Sequence, residues 1–276
     1  MVATPIGNLG DITQRALDVL RSADVIAAED TRNTTHLLNH YGIRQRQLVA
    51  LHEHNERAAA EKLIGLLAEG KAVALVSDAG TPAVSDPGAR LVADVRAAGY
   101  KVVPLPGANA AVAAVSAAGL DSPHFLFYGF LPPKSTARRK ALEALVNLPY
   151  PVIFYEAPHR ILECVADLAS VFGAARNLTI AREITKLFET IHTCPLGEAV
   201  AWMEADPNQQ RGEFVLIVQG APSAEEGSVS ATARRTLELL LAELPLKQAV
   251  KLATAISGGK KNEIYDMALK MKDEGL

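Results

Sequence analysis

Cysteine is scarce: Cys164 and Cys194 are the only two in 276 residues. They form no CxxC pair, and no histidine cluster stands at zinc spacing, which argues against a disulfide framework and a structural zinc site and fits a reducing compartment. A surplus of basic charge is also missing. The net charge is -3 and the sequence pI about 6.2, so the chain does not coat nucleic acid or membrane by bulk charge, and any basic site must be local. No apolar run approaches the roughly 18 residues needed to span a bilayer, and the N-terminus lacks a charged segment followed by an apolar one. The expectation is a soluble, cytoplasmic protein with no membrane partner. Val2 and Ala3 read as the last residues of a first strand whose beginning is missing.

What the chain does have is enough apolar character, 49% of residues, for two compact domains or one large one. The central stretch is Ala72 to Gly88. Val73 to Val76 has the all-apolar composition of a parallel strand buried on both faces. After it comes a turn crowded with Asp78, Gly80, Pro82, Asp86, Pro87 and Gly88, and then Leu91, Val92, Val95 and Ala98 at helical spacing. In an open α/β sheet, ligands bind beyond the carboxyl ends of the strands. A polar connection this long is therefore read as a binding loop, stiffened by proline and opened to close approach by glycine, with an ordered but idle turn as the alternative.

The same strand-to-helix pattern recurs on either side. Thr4 to Asp11 is a glycine-containing turn that matches GxGxxG only faintly. Strands are expected at Val25–Ala28, Leu48–Leu51 and Lys101–Leu105, and a small-residue helix at Ala111–Ala118. Residues 1–119 thus read as a five-strand alternating β/α domain with a parallel sheet. His52 and His54 raise the possibility of a metal, but no third or fourth ligand follows, so capping and polar contact at a cleft rim is preferred and no metal is expected. Beyond a hinge at Asp121–His124, strands at Phe125–Phe130, Val152–Tyr155, Leu178–Ala181, Phe188–Thr193 and Val215–Val218 mix less regularly with helices. Residues 120–221 are therefore expected to form a second α/β domain with a mixed sheet.

The densest basic cluster is Lys134, Arg138, Arg139 and Lys140. Cations in the first turn of a helix oppose its macrodipole, so either this is a solvated helix start or an external phosphate backbone compensates. Pro222–Ser230 has linker composition. Three helical patterns follow within 229–276, with Ser257-Gly258-Gly259 between the last two and Lys260 and Lys261 beginning the third, which is helix-turn-helix spacing. Such a tail either docks on its own domain or meets nucleic acid.

Taken together, TPIGNLGD at Thr4–Asp11, SDAGTPAVSDPG at Ser77–Gly88, PLPGANA at Pro104–Ala110, GFLP at Gly129–Pro132, FYEAPHR at Phe154–Arg160, REITK at Arg182–Lys186 and RGEFVLIV at Arg211–Val218 resemble the tetrapyrrole-methylase superfamily. Within it they resemble the branch that methylates small-subunit ribosomal RNA. The resemblance covers essentially the whole chain. It implies two α/β domains of the tetrapyrrole-methylase type with a small C-terminal helical region, an S-adenosyl-L-methionine cleft, a homodimer, and 2'-O-methylation of a cytidine ribose in the decoding centre of 16S rRNA. Carried over by motif, Pro5, Gly7, Asp78, Ala79, Gly80, Thr81, Val84, Asn109, Ala110 and Glu156 would contact the cofactor. Gly80-Thr81-Pro82 departs from the Gly-Asp-Pro of the tetrapyrrole enzymes, which favours the RNA branch.

A ribose hydroxyl is a poor nucleophile until its proton is being removed. Glu183 and Lys186 are the candidates for that role, with a plain salt-bridged surface pair as the alternative. Lys134, Arg138, Arg139, Lys140, Arg160, Lys260 and Lys261 are the candidates for RNA phosphate contact. Two other readings stand beside this one: a methylase of a small tetrapyrrole precursor, and a non-catalytic RNA-binding ribosome factor.

Overall fold

A computed structural model describes residues 1–44, 47–52, 55–222 and 231–273. His54 and most of the expected linker lie outside the described residues. The chain divides into two units, Met1–Gly220 and Ala221–Leu276.

The first unit begins with alternating elements: α1 (Gln14–Ser22), β1 (Val25–Ala28), α2 (Thr31–His40), β2 (Leu48–Ala50), α3 (Glu56–Ala68), β3 (Val73–Val76), α4 (Ala89–Ala97) and α5 (Ala110–Ala117). The strands pair in parallel in the order β2-β1-β3. Strand side chains alternate between faces, and the core follows that rule. Val25 and Ala27 join a cluster with Leu63 of α3 and Leu91 of α4, whereas Ile26 and Ala28 join Leu20 of α1 and Leu38 of α2. Both faces are covered, which is why β1 could be apolar at every position.

The expected first and fifth strands are reduced to single bridges. Val2 N–H donates to Leu75 O at 2.8 Å and Leu105 N–H to Met1 O at 2.9 Å, so the N-terminal segment lies beside β3 and the Leu105 segment beside that one, neither forming a ladder. Pro104 and Pro106 lack an N–H, so on its other side the Leu105 segment offers no donor there to a further strand.

The remaining elements of this unit are β4 (Leu126–Phe130), α6 (Ser135–Glu143), β5 (Val152–Glu156), α7 (Ile161–Phe172), β6 (Asn177–Arg182), β7 (Thr190–Pro195), α8 (Leu196–Ala205) and β8 (Phe214–Val218). Their sheet runs β4-β5-β8-β6-β7, with β4 and β5 parallel and the other pairs antiparallel. The expected mixed sheet is observed. β7 starts two residues later than its apolar pattern suggested, leaving Phe188 in the preceding loop, 68% exposed.

One face of this sheet packs on α7 and α8 through Phe154, Leu178, Leu216, Val165 and Met203. The other face, through Ile153, Ala181, Val215 and Ile217, receives Ala111 and Ala114 of α5. The small residues of α5 let its backbone lie close to the second sheet, so the last helix of the alternating region is shared with the next one. That packing places the loops at the carboxyl ends of β1 and β3 beside β5 and β8.

The second unit consists of α9 (Ala231–Glu243), α10 (Leu246–Ser257) and α11 (Lys261–Asp273). They close around Leu237, Ala249, Val250, Ala253, Ile264 and Ala268. Among the described residues no helix is long and apolar enough to cross a membrane.

Candidate active site

Three loops meet at the site because backbone groups lace them together. Thr4 and Gly80 exchange both backbone hydrogen bonds, at 2.9 and 3.0 Å. The Thr4 hydroxyl donates to Ser77 O at 3.3 Å, and the Thr81 hydroxyl donates to Ala108 O at 3.0 Å. Gly80 makes this possible with φ +78, a left-handed conformation that costs other L-residues about 1–2 kcal/mol. Asn109 caps α5, accepting from Val112 N–H at 3.1 Å. From the second sheet, the Tyr155 hydroxyl accepts from Ala111 N–H at 3.1 Å.

A cavity of about 370 Å³ opens between these loops and the ends of β5 and β8, a size suited to one small molecule. Asp78, Ala79, Gly80, Thr81 and Val84 line it, together with Asn109, Ala110 and Glu156. Pro5 is buried and does not line it, although the neighbouring Ile6 does. Gly7 is set apart: a Cβ there would lie 2.4 Å from Lys186 Cγ, so glycine is what lets the lysine stem cross this turn.

The carboxylates of the site divide by partner. Asp78 accepts from Asp30 N–H and from Asn33 Nδ2, each at 3.0 Å, and thereby holds the start of α2. Glu156 is 2% exposed; its Oε1 takes Ala157 N–H at 2.7 Å and Arg160 Nε at 2.8 Å, while its buried Oε2 has no hydrogen-bond partner. An unpaired buried acceptor on a cavity wall suits a ligand donor such as an amino group, and so fits the expected cofactor.

The two candidates for the base form an ion pair. Lys186 Nζ donates to Glu183 Oε1 at 2.8 Å and to Glu213 Oε2 at 2.7 Å. Burial works against both charges, but each partner outweighs it: the Glu183 carboxyl lies below the usual range and the Lys186 ammonium above its own. A lysine kept neutral by a lowered pKa, and so free to take a proton, is therefore not what the structure holds.

Two members of the basic set are corrected. Arg138 is fully buried. Its Nε donates to Asp167 Oδ2 at 2.7 Å, Nη1 donates to Pro133 O at 3.2 Å, and Nη2 lies 3.2 Å from Glu163. The opposing helix dipole is thus compensated from inside, by carboxylates of α7, because the side chain turns into the domain. Arg160 grips Glu156 and is likewise occupied. Lys134, Arg139 and Lys140 are exposed on the α6 end, and Lys260 and Lys261 are exposed in the second unit.

Sequence reading passed over Glu29, Ser85, Asp86, Tyr155 and Glu213, all on the cavity wall. The signal available was the doubled Ser-Asp in SDAGTPAVSDPG, whose second copy is Ser85-Asp86. Among the described residues no group of three or more potential metal ligands converges.

Residues 1–200 match the family model of the Tetrapyrrole (Corrin/Porphyrin) Methylases, and residues 227–272 match that of the RsmI C-terminal HTH domain. Ribosomal RNA small subunit methyltransferase I of Escherichia coli O157:H7 is 55% identical over 272 residues, covering 99% of this chain and 94% of that protein. The chain belongs to the ribosomal RNA small subunit methyltransferase I family. Solved structures show how far the family's fold reaches. The methyltransferase CobJ superposes with a TM-score of 0.59 at 21% identity, over 80% of this chain and 92% of its own. A Thermus thermophilus uroporphyrin-III C-methyl transferase complexed with S-adenyl homocysteine gives 0.55 at 16%, over 79% and 95%. These two share the tetrapyrrole-methylase fold with the chain, and the family's helix-turn-helix model covers α9, α10 and α11.

Proposed function

We propose that the chain is an S-adenosyl-L-methionine-dependent methyltransferase that methylates the 2'-hydroxyl of a cytidine ribose in the decoding centre of 16S rRNA, within the small ribosomal subunit. The observation that carries this reading is the laced cavity of unit 1 in a chain matched end to end by the small subunit methyltransferase I family. The donor supplies an activated methyl group on a sulfonium. The protein's own work is to hold it, align the acceptor and exclude water. The Gly80 and Asn109 loops and the free Glu156 oxygen are the groups that would hold it. The Lys186 pair with Glu183 and Glu213 positions the Gly7 turn at the margin of the site.

Incubation with labelled S-adenosyl-L-methionine and either naked 16S rRNA or assembled small subunits, followed by mapping of the methyl group, tests the proposal. A label on a cytidine 2'-oxygen is expected. No label on either RNA, or label on a porphyrin-like ring instead, would reject it.

Exposed Lys134, Arg139 and Lys140 supply local positive charge that the net charge lacks, and phosphate contacts give salt-dependent affinity. Arg139→Glu combined with Lys140→Glu is expected to weaken rRNA binding at least tenfold and to flatten its salt dependence, leaving donor affinity and Tm unchanged. Unaltered rRNA affinity in filter binding would take α6 out of the interface.

Unit 1 also leaves Leu187 89% and Phe188 68% exposed on neighbouring positions of one loop. Contiguous apolar exposure of this kind marks an interface, and we assign it to a second copy of the chain. Leu187→Glu with Phe188→Glu is expected to give a monomer by light scattering where the unaltered chain gives a dimer. A monomeric unaltered chain refutes the assignment.

A further inference from the structure

Strand β4 carries an irregularity that decides where Phe130 points. Its parallel pairing with β5 sets Phe127 opposite Ile153, skips Tyr128, and resumes with Gly129 opposite Phe154 and Phe130 opposite Tyr155. In a regular strand, residues three apart face opposite sides of the sheet. The extra residue puts Phe130 on the same side as Phe127 and Tyr155, the side on which α5 packs. Bulges that re-aim a side chain in this way are over-represented beside active sites. Glycine permits this one: residue 129 stands at φ +83, and a Cβ there would lie 2.8 Å from Ser85 Oγ on the cavity wall.

The result is a phenylalanine that lines the cavity and is nevertheless 51% exposed. Tyr155 braces it at 5.5 Å between ring centroids, with the planes 66° apart, so the two rings meet edge to face and do not lie flat together. Tyr155 is itself fixed by Phe127, at 5.0 Å, and by its hydrogen bond from Ala111 N–H. A braced aromatic ring that is open to solvent beside a cavity suits a flat partner such as a nucleobase.

The place of Phe130 in the fold separates it from the groups assigned to the donor. Gly80 and Glu156 are buried, whereas Phe130 ends the outer strand of its sheet and leads directly into α6. Lys134 lies four residues on, within at most about 14 Å of chain. Lys134, Arg139 and Lys140 are all exposed. An aromatic ring next to a basic stretch is the combination that holds unpaired nucleic acid, with the cations following the backbone and the ring taking a base. Splayed bases of structured RNA are recognised in the same manner.

Resting on the methyl-transfer reading, we infer that Phe130 is the platform on which the base of the acceptor nucleotide stacks, and that this stacking directs the 2'-hydroxyl at the donor. Every base has a π-face, so Phe130 positions the nucleotide and does not select it. The gain is one of alignment, since a ribose carried by an anchored base spends less time turned away from the methyl carbon. Phosphate contacts supply most of the affinity for rRNA. Loss of the platform therefore falls on kcat and leaves KM for the subunit in place.

The test compares the full-length protein with Phe130→Leu and Phe130→Trp on assembled small subunits. Leucine keeps apolar bulk but removes the π-face, and kcat is expected to fall at least about tenfold. Tryptophan should hold kcat within about threefold of the unaltered chain. Donor Kd by calorimetry should change less than about twofold in both variants. Tm of Phe130→Leu should move by less than about 2 °C, because a half-exposed position loses little packing. One readout needs no turnover. Short-wave ultraviolet irradiation of the unaltered protein on small subunits, with S-adenosyl homocysteine in place of the donor, should crosslink residue 130 to the target cytidine, since a stacked ring is in contact with its base.

Native kcat in Phe130→Leu overturns the inference, as does a parallel loss of donor binding, a loss confined to KM, or absence of the crosslink. Those results leave the methyl-transfer reading standing. Absence of methyl transfer by the unaltered protein removes that reading, and the inference with it.

Discussion

Arg138→Ala is expected to lower Tm by about 10 °C. Removing one partner of a buried ion pair costs about 3–5 kcal/mol, and in a unit of this size each kcal/mol shifts Tm by about 2–4 °C. The reason lies in what is left behind. Asp167 is 11% exposed at its side chain and would keep only the Ser135 hydroxyl, at 3.0 Å, to balance its charge. The carbonyl of Pro133, at the entry to α6, would lose its donor as well. Arg138→Met with Asp167→Asn should recover much of the loss, because it removes the orphaned charge together with its partner. The neighbouring Arg139, one position along α6 and exposed, should tolerate alanine within about 0.5 kcal/mol. Thermal unfolding of the three variants decides the matter: equal, small shifts for Arg138→Ala and Arg139→Ala would contradict the buried-pair account.

Gly80→Val is expected to weaken binding of S-adenosyl-L-methionine at least tenfold, equivalent to about 1.4 kcal/mol or more. The left-handed conformation at φ +78 is hardest for a β-branched residue. A Cβ there already lies 3.3 Å from the Ile6 side chain, which itself lines the cavity. Relief of either strain must move the Thr4–Gly80 bridge, and with it two of the three loops that shape the site. Gly99→Ala separates the effects. Gly99 has φ +85 with nothing within 4 Å of its Cβ, so it should lose stability without losing donor affinity. Calorimetry on both variants is the measurement, and unchanged donor affinity in Gly80→Val would place the donor elsewhere.

The site was legible in part, and the division follows physical lines. Gly80 and Asn109 stand in short motifs at strand ends, where chain direction alone sends a loop to the sheet edge. Arg138 could not be read correctly, because a cation in a helix's first turn looks the same in sequence whether it turns outward to phosphate or inward to Asp167, 29 residues further on. Tyr155 reaches the N-terminus of α5 only through packing of the second sheet on that helix. No local pattern carries such a contact.

The order of strands and helices, the apolar strand cores, the glycines at the turns and the three-helix C-terminal unit were determined by the sequence alone, since each depends on periodicity or on the conformational range of single residues. Tertiary structure decided which charges are spent inside and which are left to act. Asp78 and Asp86 share the same Ser-Asp context and differ in role because one meets the start of α2 and the other meets an open cavity. A charge's energy is set by the partners and the solvent that the folded chain brings to it, and neither is written beside it in the sequence.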